Sequence, residues 1–243
     1  LTPKPDAIPR FVKARHVPYT VRSKIEEELE KLQQEGVLSP VTWSEWATPI
    51  VAVQKPDGSV RLCGDYKVTV NPAIQVERYP LPRIEDIFAT MNGGTVFSKI
   101  DLKQAYLQME VEDECRKLLT ISTHKGLYQF NRLPFGVASA PAIWQRAMEQ
   151  VLQGIPHTQC MLDDILIAGG QNHLEIVEMV LQRLNKYGLK ANLKKCEFLK
   201  DSLEFCGHKI DKDGLHKTKA KTEAVLLALV LRMCPNYVHF SGL

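Results

Sequence analysis

The chain has 243 residues, 44% of them hydrophobic and 24% charged, with a formal net charge of +3. That is an ordinary globular composition, long enough for one large or two small domains. A charge so near neutral does not announce a nucleic-acid binder, so a basic groove has to be argued locally. No apolar run approaches a membrane span and no signal peptide is evident, while the 6 cysteines are scattered without a C-x-x-C pair. This excludes a disulfide scaffold and fits free thiols in an intracellular setting, cytoplasmic or nuclear rather than secreted.

Residues 1–19 carry Pro3, Pro5, Pro9 and Pro18 and are expected to be extended. Residues 20–35 read as a helix with Ile25, Leu29 and Leu32 on one stripe; Ser23 and Glu26 resemble a capping box, and Gly36 is a fitting stop. Glu26, Glu27 and Glu28 read as its solvated face. Residues 49–53 and 59–63 flank Lys55-Pro56-Asp57-Gly58 as strand, turn and strand. Residues 83–91 form a short helix. Residues 96–101 form a strand, with Val96, Ser98 and Ile100 on one face and Phe97, Lys99 and Asp101 on the other. A hairpin is expected around Lys125-Gly126, then a helix over 140–152 with Pro141 in its first turn. Residues 160–168 read as a hairpin with Asp163 and Asp164 at its tip, closed by Gly169-Gly170. A helix follows over 172–187, with Leu174, Val177, Leu181 and Leu184 sharing a face. Residues 203–210 read as one strand before a turn at 211–214. Cys196, Cys206 and His208 lack zinc-site spacing and are expected to pack in strand cores.

Two adjacent carboxylates repel, and holding them beside apolar strands costs free energy. A divalent cation offsets that cost, and hard oxygen donors suit Mg²⁺, which takes one or two carboxylates plus substrate phosphates. Taken singly, Asp is also a common turn residue, and Asp101 reads equally well as a strand-end acid. Asp101 at the end of one strand can meet Asp163 and Asp164 at the tip of a neighbour. Three such acids suit a pair of metal ions in an in-line phosphoryl transfer.

Further blocks run in order: WATPIV at 46–51, VQKPDG at 53–58, RLCGDYK at 61–67, YPLP at 79–82, FSKIDL at 97–102, LPFG at 133–136, APA at 140–142 and LDD at 162–164. In that order the chain resembles the reverse transcriptases of gypsy-type LTR retrotransposons and their retroviral relatives, from near its start to about Lys221. The resemblance implies an α+β right-hand polymerase with fingers and palm, its mainly antiparallel sheet backed by helices. It implies a primed RNA or DNA template and deoxynucleoside triphosphates as partners, no membrane, and two Mg²⁺ ions with Mn²⁺ as a substitute. Residues 1–45 become an extended segment and helix leading into the fingers, 46–225 the fingers and palm, and 226–243 a tail outside the pattern.

The same resemblance assigns roles. Asp101, Asp163 and Asp164 are the catalytic acids and metal ligands. Lys55 and Arg61 meet the triphosphate, since fixed cations suit phosphate oxygens. Tyr106 crowds the sugar 2′ position, which distinguishes ribo- from deoxyribonucleotides. Phe135 offers a stacking face, and Gly136 allows close backbone approach to nucleotide or template. Met161, Gly207 and His208 lie on the primer side. Lys186, Lys190, Lys194, Lys195 and Lys200 would neutralise phosphate, though a solvated helix face explains them almost as well.

The match breaks at two points. Met161 stands where the family motif has tyrosine, keeping bulk but losing the hydroxyl and flat face. The last residues do not continue into a recognisable thumb, so an absent or incomplete thumb and low or absent extension, with Mg²⁺ or Mn²⁺ binding retained, are expected. The first residue, Leu1, suggests a piece of a larger polyprotein or open reading frame, and the resemblance implies former fusion to ribonuclease H, protease and integrase domains. Two alternatives stay open: a catalytically impaired retroelement remnant that keeps the fold and at most binds nucleic acid, and another two-metal palm enzyme such as a cyclase, which the fingers blocks oppose.

Overall fold

The structure, a computed structural model, describes residues 1–56 and 58–218. The 226–243 tail, Lys221 and Asp57 of the expected turn lie outside the described residues. In chain order the elements are α1 (Tyr19–Gln34), β1 (Leu38–Val41), β2 (Thr48–Gln54), β3 (Val60–Gly64), α2 (Ile84–Met91), β4 (Val96–Asp101), α3 (Asp113–Arg116), β5 (Thr120–Thr123), β6 (Gly126–Phe130), α4 (Ala140–Leu152), β7 (Thr158–Met161), β8 (Asp164–Gly169), α5 (His173–Lys186), β9 (Glu197–Lys200), β10 (Ser202–Phe205), β11 (His208–Asp211) and β12 (Gly214–Lys217).

The strands form three sheets. The fingers sheet runs β1-β6-β5-β2-β3, antiparallel except where β2 lies parallel to β5. Pro40, which has no N–H to give to a ladder, sits in β1 at the edge of that sheet. Because β1 pairs with β6 and α1 shares its core, residues 19–41 are integral to this five-stranded sheet and its packing. Ile25, Leu29 and Leu32 of α1 are buried there with Leu38, Leu62, Ile121 and Phe130.

The palm sheet runs β7-β8-β4-β9, all antiparallel. Its central strands are covered on both faces, so they read as nearly continuous apolar runs. Ile165 and Ile167 pack with Trp144 and Met148 of α4 and Ile176 and Val180 of α5. Leu166 and Ala168 point the other way, toward Ile87 and Phe88 of α2 and Leu203, Phe205 and Ile210 of the third sheet, β10-β11-β12. Ser98 and His173 are polar inserts in this apolar layer, with Ser98 Oγ 2.7 Å from His173 Nε2 and the Leu199 N–H donating to Ser98 Oγ at 3.1 Å.

Several expectations need correction. The run 203–210 is two strands, β10 and β11, joined by Cys206 (φ 49) and Gly207 (φ 72); two left-handed residues in a row make the tight turn that strand twist favours. The apolar pattern on both sides of Gly207 hid that turn, and Cys206 sits exposed on it. In α5 the buried face is Ile176, Val177, Val180 and Leu184, while Leu174 and Leu181 are 63% and 42% exposed. The helix is rotated relative to the leucine stripe because the β-branched residues fit against the sheet. Helix α1 has Pro18 at its N-cap and no side-chain cap. Glu26 leaves the presumed capping box to accept from His124 Nε2 at 2.9 Å, and Glu28 is buried and paired with Lys31, so the three glutamates are not a simple solvated face.

Candidate active site

The antiparallel pairing of β4 with β8 sets Asp101 directly opposite Asp164. Directly opposed residues share a face with Cβ atoms about 4.5–5.5 Å apart, and period-two alternation puts both acids on the Phe97–Leu166 side. Asp163 occupies the two-residue β7–β8 turn, and its carbonyl accepts from the Leu102 N–H at 2.8 Å, which ties the tip to the end of β4. The three acids feel one another. Partial burial, then the charges of Asp164 and Asp101, raise the Asp163 carboxyl above its ordinary value, while Arg61 and Lys195 pull it down. Asp164 is likewise raised, first by burial, with Lys99 opposing.

Among the described residues, no three His, Cys, Asp or Glu side chains are already drawn together as a metal-holding group. A closed cage is not what Mg²⁺ requires, since substrate phosphates and water complete its octahedron. The donor set is nonetheless right: three hard carboxylates, half-buried and mutually repelling. Two lysines partly balance them. Lys195 Nζ lies 3.5 Å from Asp101 Oδ2, and Lys99 Nζ lies 2.7 Å from Glu197 Oε1.

An arc of other expected residues adjoins this cluster. The Arg61 guanidinium stands 5.0 Å from the Phe135 ring centroid, and Phe135 lies 5.0 Å from the ring of Tyr106. Tyr106 is half-buried and its hydroxyl is pushed up to about 12, by burial first and by the charge of Asp163 second. Asp163, Arg61, Phe135 and Tyr106 are therefore contiguous across the fingers–palm junction. Gly136 (φ +97) belongs here for a reason the sequence reading did not foresee. A Cβ at Gly136 would stand 2.8 Å from the Gly64 carbonyl oxygen, so the close approach runs between the β6–α4 loop and the end of β3 within this chain. Asn71 pins the same loop, donating to the Gly136 carbonyl and accepting from the Ala138 N–H.

Other expected residues lie apart. Lys55 closes the β2–β3 turn through its backbone, and among the described residues its ammonium contacts none of the other site residues. Gly207 and His208 mark the β10–β11 turn, where the His208 ring meets Phe88 edge-on at 5.3 Å. Met161 is the cross-strand partner of Asp164 and packs against the apolar cluster that contains Phe88. Met161 and His208 thus both meet the apolar cluster that contains Phe88, and of the two Met161 is the one paired with an acid. Of the five lysines noted in the sequence, Lys195 alone forms an ion pair with one of the three acids among the described residues.

The sequence reading missed the support behind the tip. Leu162 holds φ +54, a left-handed conformation that costs an L-residue roughly 1–2 kcal/mol. Trp144 Nε1 donates to its carbonyl at 2.8 Å, and its N–H donates to Gln145 Oε1 at 2.9 Å. The available signal was a glutamine next to a tryptophan in an otherwise apolar helical stripe.

An antiparallel four-stranded sheet bearing three carboxylates, beside a five-stranded sheet that carries Arg61, has the architecture of a right-hand polymerase fold. The chain belongs to the reverse transcriptase (RNA-dependent DNA polymerase) family, whose pattern matches residues 53–210. Its relatives include retroelement polyproteins. It is 30% identical over 230 residues to the retrovirus-related Pol polyprotein from transposon 297 of Drosophila melanogaster, covering 90% of this chain and 21% of that protein. It is 33% identical over 184 residues to the transposon Tf2-3 polyprotein of Schizosaccharomyces pombe, covering 74% of this chain and 14% of that one. An uncharacterized Caenorhabditis elegans protein is 39% identical over 224 residues, 90% of this chain and 18% of its own length. The chain spans about a fifth of the length of the first of these curated relatives. Among solved structures, a foamy viral protease–reverse transcriptase in complex with double-stranded DNA superposes with a TM-score of 0.83 at 25% identity, over 93% of this chain and 39% of that one. The foamy viral enzyme with an RNA/DNA hybrid gives 0.82 at 23% identity, over 98% of this chain and 34% of that one, a likeness of fold. No described helix is long and apolar enough to cross a membrane.

Proposed function

We propose that this domain catalyses RNA-directed DNA synthesis, joining a deoxynucleoside triphosphate to a primer 3′-hydroxyl. The observation that carries the reading is the register of Asp101 against Asp164, with Asp163 in the adjoining turn. Bound through these carboxylates, two Mg²⁺ ions, or Mn²⁺, would supply the positive charge that activates the attacking oxygen and stabilises the leaving pyrophosphate. The mutual repulsion of the acids supports that assignment, because a cation relieves it.

The chain's own residues divide the remaining work. Arg61 offers a planar fork to the triphosphate oxygens, and Phe135 beneath it holds the guanidinium in place by cation–π contact. Tyr106, wedged between Phe135 and Trp144, presents its ring to the sugar and disfavours a 2′-hydroxyl by bulk. Lys55 reaches the triphosphate only if the β2–β3 turn folds inward, so its contribution is expected to be smaller than that of Arg61. Met161, Gly207 and His208 border the primer. RNA or DNA duplexes, which the foamy viral enzymes bind, are the proposed partners, and further Pol domains are the proposed covalent neighbours.

The test is primer extension on an RNA homopolymer with Mg²⁺. Extension is expected from the parent and should vanish in Asp101→Asn and in Asp163→Asn; extension that survives either change overturns the assignment. Tyr106→Ala should raise ribonucleotide incorporation relative to deoxynucleotide. Met161 favours one second reading, a domain that keeps the fold and metal site while extending poorly. Under that reading the parent binds Mn²⁺ but extends weakly, and Met161→Tyr raises extension.

A further inference from the structure

Gln145 lies behind the acidic tip, not beside it. It is fully buried in α4, on the sheet face packed by Ile165 and Ile167, opposite the face that carries Asp101 and Asp164. A glutamine with no access to water in an apolar layer is costly unless every polar atom is used. Here all are used, and on one object. Its Oε1 accepts from the Leu162 N–H at 2.9 Å, and its Nε2 donates to the Cys160 carbonyl at 2.8 Å. The same Nε2 donates to Glu149 Oε1 at 2.9 Å, and the other oxygen of Glu149 accepts from the Tyr79 hydroxyl. A carboxylate only accepts, so Glu149 decides which end of the amide faces it and leaves Oε1 aimed at Leu162. Trp144, the preceding residue, donates to the Leu162 carbonyl. Both backbone polar groups of the left-handed Leu162 are therefore held by two consecutive helix residues.

We infer that Gln145, oriented by Glu149 and joined by Trp144, is a positioning residue that fixes the acidic tip from behind by clamping Leu162 in its left-handed turn. The inference rests on the polymerase reading for its consequence, and on the hydrogen bonds alone for its geometry. Leu162 immediately precedes Asp163, so its φ and ψ set where both carboxylates of the tip point. Without the clamp, Leu162 relaxes toward a negative φ and the carboxylates swing relative to Asp101, whose strand β4 is also paired with β9 on its other side. Gln145 touches neither substrate nor any of the three site carboxylates, so its loss should act through geometry and not through binding of the nucleotide.

The test uses Gln145→Met, which keeps length and volume but offers no hydrogen bond, with Glu149→Gln as a second variant at a partly exposed position in case the first folds poorly. Three readouts are taken on the 243-residue chain: amide hydrogen exchange at Leu162, Mn²⁺ binding by electron paramagnetic resonance, and primer-extension kinetics. In Gln145→Met, Leu162 exchange should accelerate and Mn²⁺ affinity should fall about 10-fold, the scale at which orienting partners act on ligating groups. The extension kcat should fall about 10–100-fold with the KM for the nucleotide nearly unchanged. Glu149→Gln should move the same readouts in the same direction by less. Adding Leu162→Gly to Gln145→Met should restore part of the Mn²⁺ affinity, because glycine adopts a positive φ without a clamp; a loss due to misfolding alone would not be restored. If Gln145→Met accelerates Leu162 exchange yet leaves Mn²⁺ affinity and kcat at the parent values, the inference is overturned while the polymerase reading stands. If the parent itself neither binds Mn²⁺ nor extends a primer, the polymerase reading fails and the positioning role falls with it.

Discussion

The two sheets of this domain obey different rules. The fingers sheet is conventional. One face packs on α1, Val51 and Val53 of β2 remain 40% and 49% exposed on its outer side, and its charges find partners, Glu26 with His124 and Arg15 with Asp65. The palm sheet is buried on both faces through Ile100, Ile165, Leu166 and Ile167, yet it ends in three like charges and a left-handed leucine. The rigid, doubly covered strands hold the acids together against their own repulsion. Strain collects where chemistry is proposed, and the apolar layers around it supply the stability that tolerates it.

The contrast yields predictions of decreasing size. Ile165 is completely buried in the palm, so Ile165→Ala should cost about 2–5 kcal/mol by denaturant unfolding. Val53→Thr on the outer fingers face should stay within about 0.5 kcal/mol. Similar losses at both positions would erase the distinction between the sheets. Gly136→Ala meets a positive φ and a backbone oxygen at 2.8 Å, so a cost of about 1–3 kcal/mol is expected, with weaker nucleotide binding as Phe135 shifts under Arg61. A variant as stable as the parent would show that the Gly64–Gly136 contact is not tight.

Asp163→Asn should move stability the other way. The folded chain raises this carboxyl above its ordinary 3.8, so the folded state holds the proton more tightly than the unfolded one. Folding stability therefore falls as pH rises through the raised value, and the substitution removes that loss. At neutral pH without metal the melting midpoint should rise by about 1–3 °C, and the gain should vanish below pH 3.8, where both states are protonated. Added Mg²⁺ should stabilise the parent but not the variant. A variant that melts below the parent in metal-free buffer would show that burial and the neighbouring acids do not destabilise the charged Asp163 carboxylate. The smallest effect belongs to the fingers. The hydrogen bond from His124 leads in lowering Glu26 below its ordinary 4.5, so its contribution is present above that value and is lost as pH falls through the lowered one. Glu26→Gln should lower stability slightly at neutral pH and leave it unchanged at acid pH, flattening the acid limb of a pH–stability curve.

What could be read in the sequence follows the same division. Helix α4 was expected over 140–152 and runs from Ala140 to Leu152, and the Asp101 and Asp163-Asp164 segments, which a strand end and a hairpin tip allow to meet, were expected to do so from the resemblance to reverse transcriptases. Long-range backbone contacts were not legible. The turn at Cys206 and Gly207 was masked by apolar residues on either side, and the α5 leucines looked buried because periodicity alone cannot choose between two overlapping stripes. Gly136 was expected to make room for nucleic acid, whereas its nearest neighbour is Gly64. Nothing local to Gln145 announces that its amide reaches a turn 17 residues later.

The central claim is that Asp101, Asp163 and Asp164 make one cation site. The most direct measurement is Mn²⁺ titration of the 243-residue chain and its three single Asp→Asn variants by electron paramagnetic resonance, without nucleic acid. Saturable binding in the parent that weakens in every variant, Asp101→Asn included, is the predicted result. Parent-level binding in Asp101→Asn would separate the strand-end acid from the hairpin pair and contradict the claim.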